Sequence, residues 1–72
     1  MNSAQYLTTK QLASRYGVKP STIKSWRALK KGPEWYSLPR MAVAYGHERV
    51  RYDLHHVLAW EEANEITPLQ HF

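Results

Sequence analysis

The residues with chemistry to offer are mostly lysines and arginines, and they are unevenly distributed along the chain. Residues 1–33 carry seven of them and no acid, residues 34–52 carry three arginines and two glutamates, and residues 53–72 carry four acids and no lysine or arginine. A basic front half is the electrostatic footprint of a polyanion partner, most commonly nucleic acid. The alternative is a solvated basic surface that matters only for solubility, and charge alone does not decide between the two.

Groupings typical of catalysis or metal binding are missing from the sequence. His55 and His56 follow Asp53 closely, but adjacent side chains on a helix diverge by about 100° and do not chelate one ion together. The chain has no cysteine to complete a zinc site. It also has no recognisable nucleophile signature and no phosphate-cradling glycine loop. We therefore expect no enzyme activity, no cofactor and no metal ion.

The length of 72 residues predicts a single small domain spanning residues 1–72, with an ordered core at about 6–66 and frayed termini. The stretch MNSAQYLTTK lacks the basic flank and apolar run of a signal peptide. No apolar run approaches the roughly 20 residues of a membrane span. The absence of cysteine is compatible with a reducing compartment. We expect a soluble cytoplasmic domain without a membrane partner.

Two short helices joined by a tight turn are predicted in the first third of the chain. Thr8 and Gln11 fit a capping box at the start of the first helix, and Gly17 is suited to end it in the left-handed conformation. Pro20 fits the first turn of the second helix, where its missing N–H is not needed. This pattern is typical of a helix-turn-helix, and the alternative is a plain pair of packed helices in a small bundle.

The rest of the chain predicts a hairpin followed by a third helix. Short β-prone runs at residues 35–38 and 49–52 form the hairpin, and Asp53 caps the last helix. Apolar residues recur at helical spacing on the second and third helices and predict their buried stripes. The stripes are Ile23, Trp26 and Leu29 on the second helix and Leu54, Val57, Trp60 and Ala63 on the third. The expected fold class is mainly α with a small β-hairpin.

Several motifs occur together, in the order YLTTKQLASRYGVKPSTIKSWR, KKGP, RVRYD and HHVLAW. In combination, over about residues 6–63, they resemble the excisionase and AlpA-like branch of the MerR-type winged helix-turn-helix families. These are small DNA-binding proteins common on phages and integrative elements. The resemblance implies that the second helix enters the major groove and that the hairpin is a wing that follows the backbone or the minor groove. The chain departs from the family pattern in Lys19, where many relatives have serine, and in its longer hairpin loop.

On the second helix, the face opposite the buried stripe is predicted to meet the bases. Lys24 and Arg27 have donors for guanine O6 and N7, and serine hydroxyls bond to several bases. Contact with phosphates alone, which carries no sequence information, is the alternative. The predicted contacts of this helix are Ser21, Lys24, Ser25, Arg27 and Ala28.

Further DNA contacts are predicted in the hairpin and around the first helix. Arg49 and Arg51 share one strand face, with Val50 and Tyr52 turned inward; a solvated strand face is the alternative reading. Free N–H groups at the start of the first helix are placed to hold a phosphate. The predicted wing contacts are Arg40, His47, Arg49 and Arg51, and the predicted phosphate contacts elsewhere are Thr9, Lys10 and Lys19.

The leading hypothesis is a sequence-specific double-stranded DNA-binding protein of a phage or integrative element. The family resemblance implies either a transcriptional regulator or a recombination directionality factor, which bends repeated sites so that an integrase or recombinase excises the element. The acidic last helix behind a basic front half suits head-to-tail self-association on DNA. One alternative is a protein-interaction module that contacts its partner through the apolar residues Met41–Tyr45 and does not bind DNA. Another is the DNA-recognition domain of a phage packaging protein similar to a small terminase. The tryptophans are assigned to the core rather than to stacking on single strands.

Overall fold

The computed structural model describes residues 5–69, which form three helices and a small antiparallel sheet. In chain order the elements are β1 (Tyr6–Leu7), α1 (Thr9–Tyr16), α2 (Pro20–Ala28), β2 (Tyr36–Ser37), β3 (Val50–Asp53) and α3 (Leu54–Ala63). A 3-10 turn at Arg40–Ala42 lies in the hairpin loop, residues 38–49, which joins β2 to β3. A mainly helical fold with a small hairpin is thus confirmed, whereas the predicted frayed termini lie largely outside the described residues.

The sheet has three strands in the order β1-β3-β2, with β3 in the middle. The two predicted strands are present as β2 and β3, each within two residues of its expected position. β1 pairs antiparallel with the other side of β3, Leu7 opposite Tyr52. It is not predicted from the sequence, because two residues are too few to show the alternation of a strand. On the outer face of the sheet, a hydrogen bond with Tyr6 raises the pKa of Tyr36 to about 12.

Local signals fix both ends of α1 as expected. Thr8 Oγ1 accepts from the Gln11 N–H at 3.1 Å, and the Thr8 N–H donates to Gln11 Oε1 at 2.9 Å, so the capping box is confirmed. Gly17 ends the helix in the left-handed conformation with φ of 69°. A Cβ added to Gly17 would collide with the side chain of Leu69, which crosses the turn between α1 and α2.

The buried stripe of α2 is shorter than predicted. Ile23 is buried and Trp26 is partly buried, as expected, but Leu29 is 64% exposed. The helix ends at Ala28, and Lys30 takes a left-handed conformation with φ of 58°. The prediction for Leu29 was wrong because the chain leaves the helix before this side chain can turn onto the core face.

The core is built from the inner faces of all three helices and of β1 and β3. Three rings, those of Tyr16, Trp26 and Trp60, lie beside it with centroids 5.7–5.9 Å apart, a distance typical of aromatic pairs. Trp35 is 41% exposed, so its assignment to the core was wrong. On α3, Ala63 is exposed, so its place in the predicted buried stripe was also wrong. The buried apolar residues are Leu7, Leu12, Ala13, Ile23, Tyr52 and Val57.

A buried ion pair joins α1 to α3. Arg15 Nε and Nη2 donate to the two carboxylate oxygens of Glu61 at 2.6 and 2.8 Å, and the Tyr16 hydroxyl donates to Glu61 Oε2 at 2.6 Å. The hydrogen bond to Glu61 raises the pKa of Arg15, and burial, with the same carboxylate, raises the pKa of Tyr16 above its usual range. In the sequence, Glu61 counts among the acids of the last helix. Its carboxylate is instead buried and joins α3 to α1 through Arg15.

Candidate nucleic-acid interface

The outward face of α2 is basic and made of small side chains. Ser21, Lys24, Ser25 and Ala28 are all exposed, as predicted. The Ser25 hydroxyl donates to the Ser21 carbonyl at 3.1 Å, which leaves its oxygen able to accept from a ligand. No hydrogen bond or ion pair within residues 5–69 holds the Lys24 ammonium. This face can approach a partner closely and offers a free cation at its centre.

Arg27 lies away from that face and joins three parts of the fold. Its Nη1 donates to Thr9 Oγ1 at 2.8 Å and to the Tyr52 hydroxyl at 3.1 Å. Its Nη2 lies 3.7 Å from Glu48 Oε2, and its side chain is only 13% exposed. The geometry therefore gives no support to base reading by Arg27. The guanidinium holds α1, β3 and the hairpin loop against α2.

The start of α1 already holds a negative charge that belongs to the protein. The Thr9 N–H donates to Glu48 Oε1 at 3.3 Å, and Thr9 itself is only 2% exposed. The Thr8 N–H is used by the capping box. We therefore correct the prediction that Thr9 contacts a phosphate, because a carboxylate from the hairpin loop occupies the position expected for the anion. Lys10 and Lys19 are exposed and available for phosphate contact.

The tip of the hairpin loop carries bases and no acid. Glu48 is the only acid between residues 35 and 52, and its carboxylate is turned inward to Thr9 and Arg27. Arg40, His47 and Arg49 are exposed. They line an open hollow of about 440 Å³ beside the tip. The tip therefore presents positive charge only.

Arg51 differs from the other predicted contacts of the hairpin. Its Nη1 donates to the carbonyls of Glu48 and Val50, both at 2.8 Å, and the residue is half-buried. This side chain stabilises the backbone where the hairpin loop joins β3. As predicted, Tyr52 is turned into the core and Val50 packs against it.

The apolar residues Met41–Tyr45 of the loop are exposed except for Val43, which is half-buried. Met41 is 95% exposed and Tyr45 is fully exposed. The 3-10 turn presents Met41. A tight turn, closed by the His47 N–H donating to the Ala44 carbonyl at 3.0 Å, presents Tyr45. Gly46, with φ of 83°, supplies the left-handed residue of this turn.

A second hollow, of about 310 Å³, lies between the end of α2 and the start of β2, and its lining carries three bases and one acid, Glu34. Lys30 and Lys31 line it together with Trp35, whose ring is 5.6 Å from the Arg27 guanidinium carbon. The sequence predicts Trp35 in the core and no contact for these lysines. The useful sequence signal is that Trp35 follows Gly32-Pro33 and belongs to neither buried stripe.

Among the described residues, the histidine pair and the surface of α3 do not form a cluster of exposed lysines or arginines like those of α2 and the hairpin loop. His55 and His56 are exposed, and His55 Nδ1 lies 3.5 Å from Asp53 Oδ1, the residue that caps α3. Within residues 5–69 no three histidines or acids are placed to hold a metal ion. Glu62 and Glu65 remain as the exposed acids of this region. Head-to-tail contact through them stays a prediction.

No family model, curated protein or solved structure matches the chain. None of the helices in residues 5–69 is long and apolar enough to span a membrane.

Proposed function

We propose that the chain is a sequence-specific double-stranded DNA-binding protein with a winged helix-turn-helix fold. α2 enters the major groove, and the hairpin loop is the wing, which lies along the neighbouring minor groove. The small residues Ser21, Ser25 and Ala28 allow α2 to approach the base edges closely, and Lys24 supplies a donor for guanine. The wing supplies Arg40, His47 and Arg49 for phosphates or the minor groove.

One observation carries this proposal. Arg27 binds the carboxylate of Glu48, the single acid of the hairpin loop. This contact turns the carboxylate inward and holds the loop against the end of α2. As a result, two exposed surfaces that carry bases and no acid are held next to each other. A rigid pair of basic surfaces suits a rigid, regularly spaced polyanion such as a duplex. A basic surface that only improves solubility does not require the carboxylate of Glu48 to be turned inward.

The biological role that best fits is control of recombination or transcription on a phage or integrative element. The support is the resemblance of residues 6–63 to excisionase and AlpA-like proteins. In this role the protein binds repeated sites, bends the DNA and works beside an integrase or recombinase. A role in phage DNA packaging rests on the same DNA-binding surface and is not favoured by any separate observation.

The proposal is tested by titrating salt against binding. Fluorescence anisotropy with duplexes selected from a random pool gives the dissociation constant at each salt concentration. If about five basic side chains neutralise phosphates, log K against log salt has a slope of about −4 to −5. A failure to enrich any duplex, with no binding at about 50 mM salt, would contradict DNA binding.

A second candidate is favoured by the exposure of Met41 and Tyr45, which would suit contact with another protein. In that case the winged scaffold has lost DNA binding. The same anisotropy titration separates the two functions, because a protein-interaction module of this kind shows no duplex affinity at low salt. We favour the DNA-binding function because the loop that carries the apolar pair also exposes Arg40, His47 and Arg49.

A further inference from the structure

Met41 and Tyr45 contribute nothing to the core and are exposed to 95% and completely. We propose that these two side chains form a wedge that enters the minor groove and partly unstacks a base step, so that binding kinks the duplex. This inference rests on the proposed function and adds to it the element that bends the DNA. It also assigns a role to the part of the hairpin loop that the family pattern leaves unexplained.

The wedge is held in place before DNA arrives. The Ala42 N–H donates to the Pro39 carbonyl at 2.9 Å and closes the turn that carries Met41. The turn from Ala44 to His47 carries Tyr45. Val43 is half-buried between the two turns, and its N–H donates to the Arg40 carbonyl at 3.4 Å. Because the backbone is already ordered, little conformational entropy is lost when the two side chains insert.

The charge around the pair favours DNA over a protein as the occupant. Residues 39–47 contain no acid, and the nearest one, Glu48, is turned away to Thr9 and Arg27. Arg40 and Arg49 are exposed and line the same hollow as Tyr45. The minor groove is a narrow channel of negative potential that attracts arginine. An apolar tip with two arginines beside it is therefore complementary to this groove.

The side-chain chemistry also suits insertion. Methionine is among the apolar side chains that other minor-groove proteins insert between base steps. A tyrosine ring can stack on an exposed base face. Unstacking is least costly at pyrimidine–purine steps such as TA and CA. The wedge therefore predicts a preference for a flexible step under the wing, at a position that no hydrogen bond reads.

The test compares wild type with the double variant Met41→Ala/Tyr45→Ala. A duplex selected for binding by the wild type carries a donor and an acceptor dye at its ends, so that energy transfer reports the bend and anisotropy reports binding. The variant Leu58→Ala is the matched control, because Leu58 is a 46% exposed apolar residue on α3. Circular dichroism melts confirm that all three proteins fold.

Wild type and Leu58→Ala are expected to bend the duplex by roughly 20–90°. Met41→Ala/Tyr45→Ala should still bind the duplex and lose most of the bend. 2-Aminopurine at the TA or CA step under the wing should brighten with wild type and stay dark with the double variant. Equal bending by wild type and the double variant overturns the wedge and leaves DNA binding intact. No rise in anisotropy with any protein overturns the proposed function together with the wedge.

Discussion

Lys24 is the residue on which sequence preference should depend most directly. Its ammonium is exposed at the centre of the outward face of α2 and has no internal partner among the described residues. Arg49, by contrast, lies on the hairpin loop, where contacts with the backbone of DNA are expected. The two side chains therefore allow base reading and phosphate contact to be separated by matched truncations.

We expect Lys24→Ala to lose about 1–3 kcal/mol of binding to the selected site and to relax preference at the base pair that it reads. Arg49→Ala should weaken binding to all duplexes about equally and reduce the salt slope by about one. Competition between the selected and a scrambled duplex measures both effects. Identical behaviour of the two variants would mean that Lys24 contacts only phosphate.

Substitution of Arg27 is expected to change stability rather than base preference. Because its guanidinium satisfies Thr9, Tyr52 and Glu48 inside the protein, Arg27→Ala should reduce the free energy of unfolding by about 1–3 kcal/mol. Arg27→Lys keeps the charge but not the fork of donors, and should recover only part of that loss. Urea denaturation measures both. If Arg27→Ala instead left stability unchanged and altered base preference, the side chain would be a base reader after all.

At the scale of elements, local signals predict most of the fold. The capping box of α1, the left-handed Gly17, the proline that opens α2 and the Asp53 cap of α3 each depend on neighbours a few residues away. Contacts between distant residues could not be predicted. The β1–β3 pairing, the Arg15–Glu61 pair and the Arg27–Glu48 contact join positions that carry no mutual sequence signal. For that reason the sequence predicts DNA contacts for Thr9 and Arg27, whose side chains or backbone groups instead bind inside the protein.

The turn between α1 and α2 should tolerate no side chain at Gly17. With φ of 69°, an alanine there is strained by about 1–2 kcal/mol, and its Cβ also meets Leu69. Thermal melts of Gly17→Ala should show this loss. In a Leu69→Ala background the same substitution should cost less, because the backbone strain remains while the collision is relieved. A cost that is equal in both backgrounds would mean that Leu69 does not pack on the turn.

The link between α1 and α3 should be sensitive to alkaline pH. Burial, together with the hydrogen bond to Glu61, raises the pKa of Tyr16 in the folded protein. The folded state therefore favours the neutral phenol, so its contribution to stability is complete below the unfolded pKa of about 10 and falls as the pH rises above it.

The matched variant is Tyr16→Phe, which lacks the ionisable hydroxyl. It should be less stable than wild type by about 1 kcal/mol at pH 7, because the hydrogen bond to Glu61 is lost. Between pH 9 and 11 it should lose stability less steeply than wild type. Urea denaturation at each pH measures the difference, and parallel curves would contradict the role of Tyr16.

At the scale of the whole molecule, some charged side chains are used inside the fold and others are exposed and available to a partner. Two acids are used internally, Glu48 by Arg27 and Thr9 and Glu61 by Arg15, whereas Glu34 is exposed beside Lys30 and Lys31. Outside α3, the bases left exposed lie on α1, on and beside α2, and on the hairpin loop: Lys10, Lys19, Lys24, Lys30, Lys31, Arg40, His47 and Arg49. The sequence predicted this basic half from composition, but only the folded arrangement identifies which bases are free.

The central claim is that α2 lies in the major groove while the hairpin loop lies in the adjacent minor groove. Dimethyl sulfate protection tests it in one experiment, because the reagent methylates guanine N7 in the major groove and adenine N3 in the minor groove. On a selected duplex we predict protection of guanine N7, and protection of adenine N3 about half a helical turn, or about 5 base pairs, away. Lys24→Ala should lose the guanine protection first. Binding that leaves every guanine N7 unprotected would contradict the account.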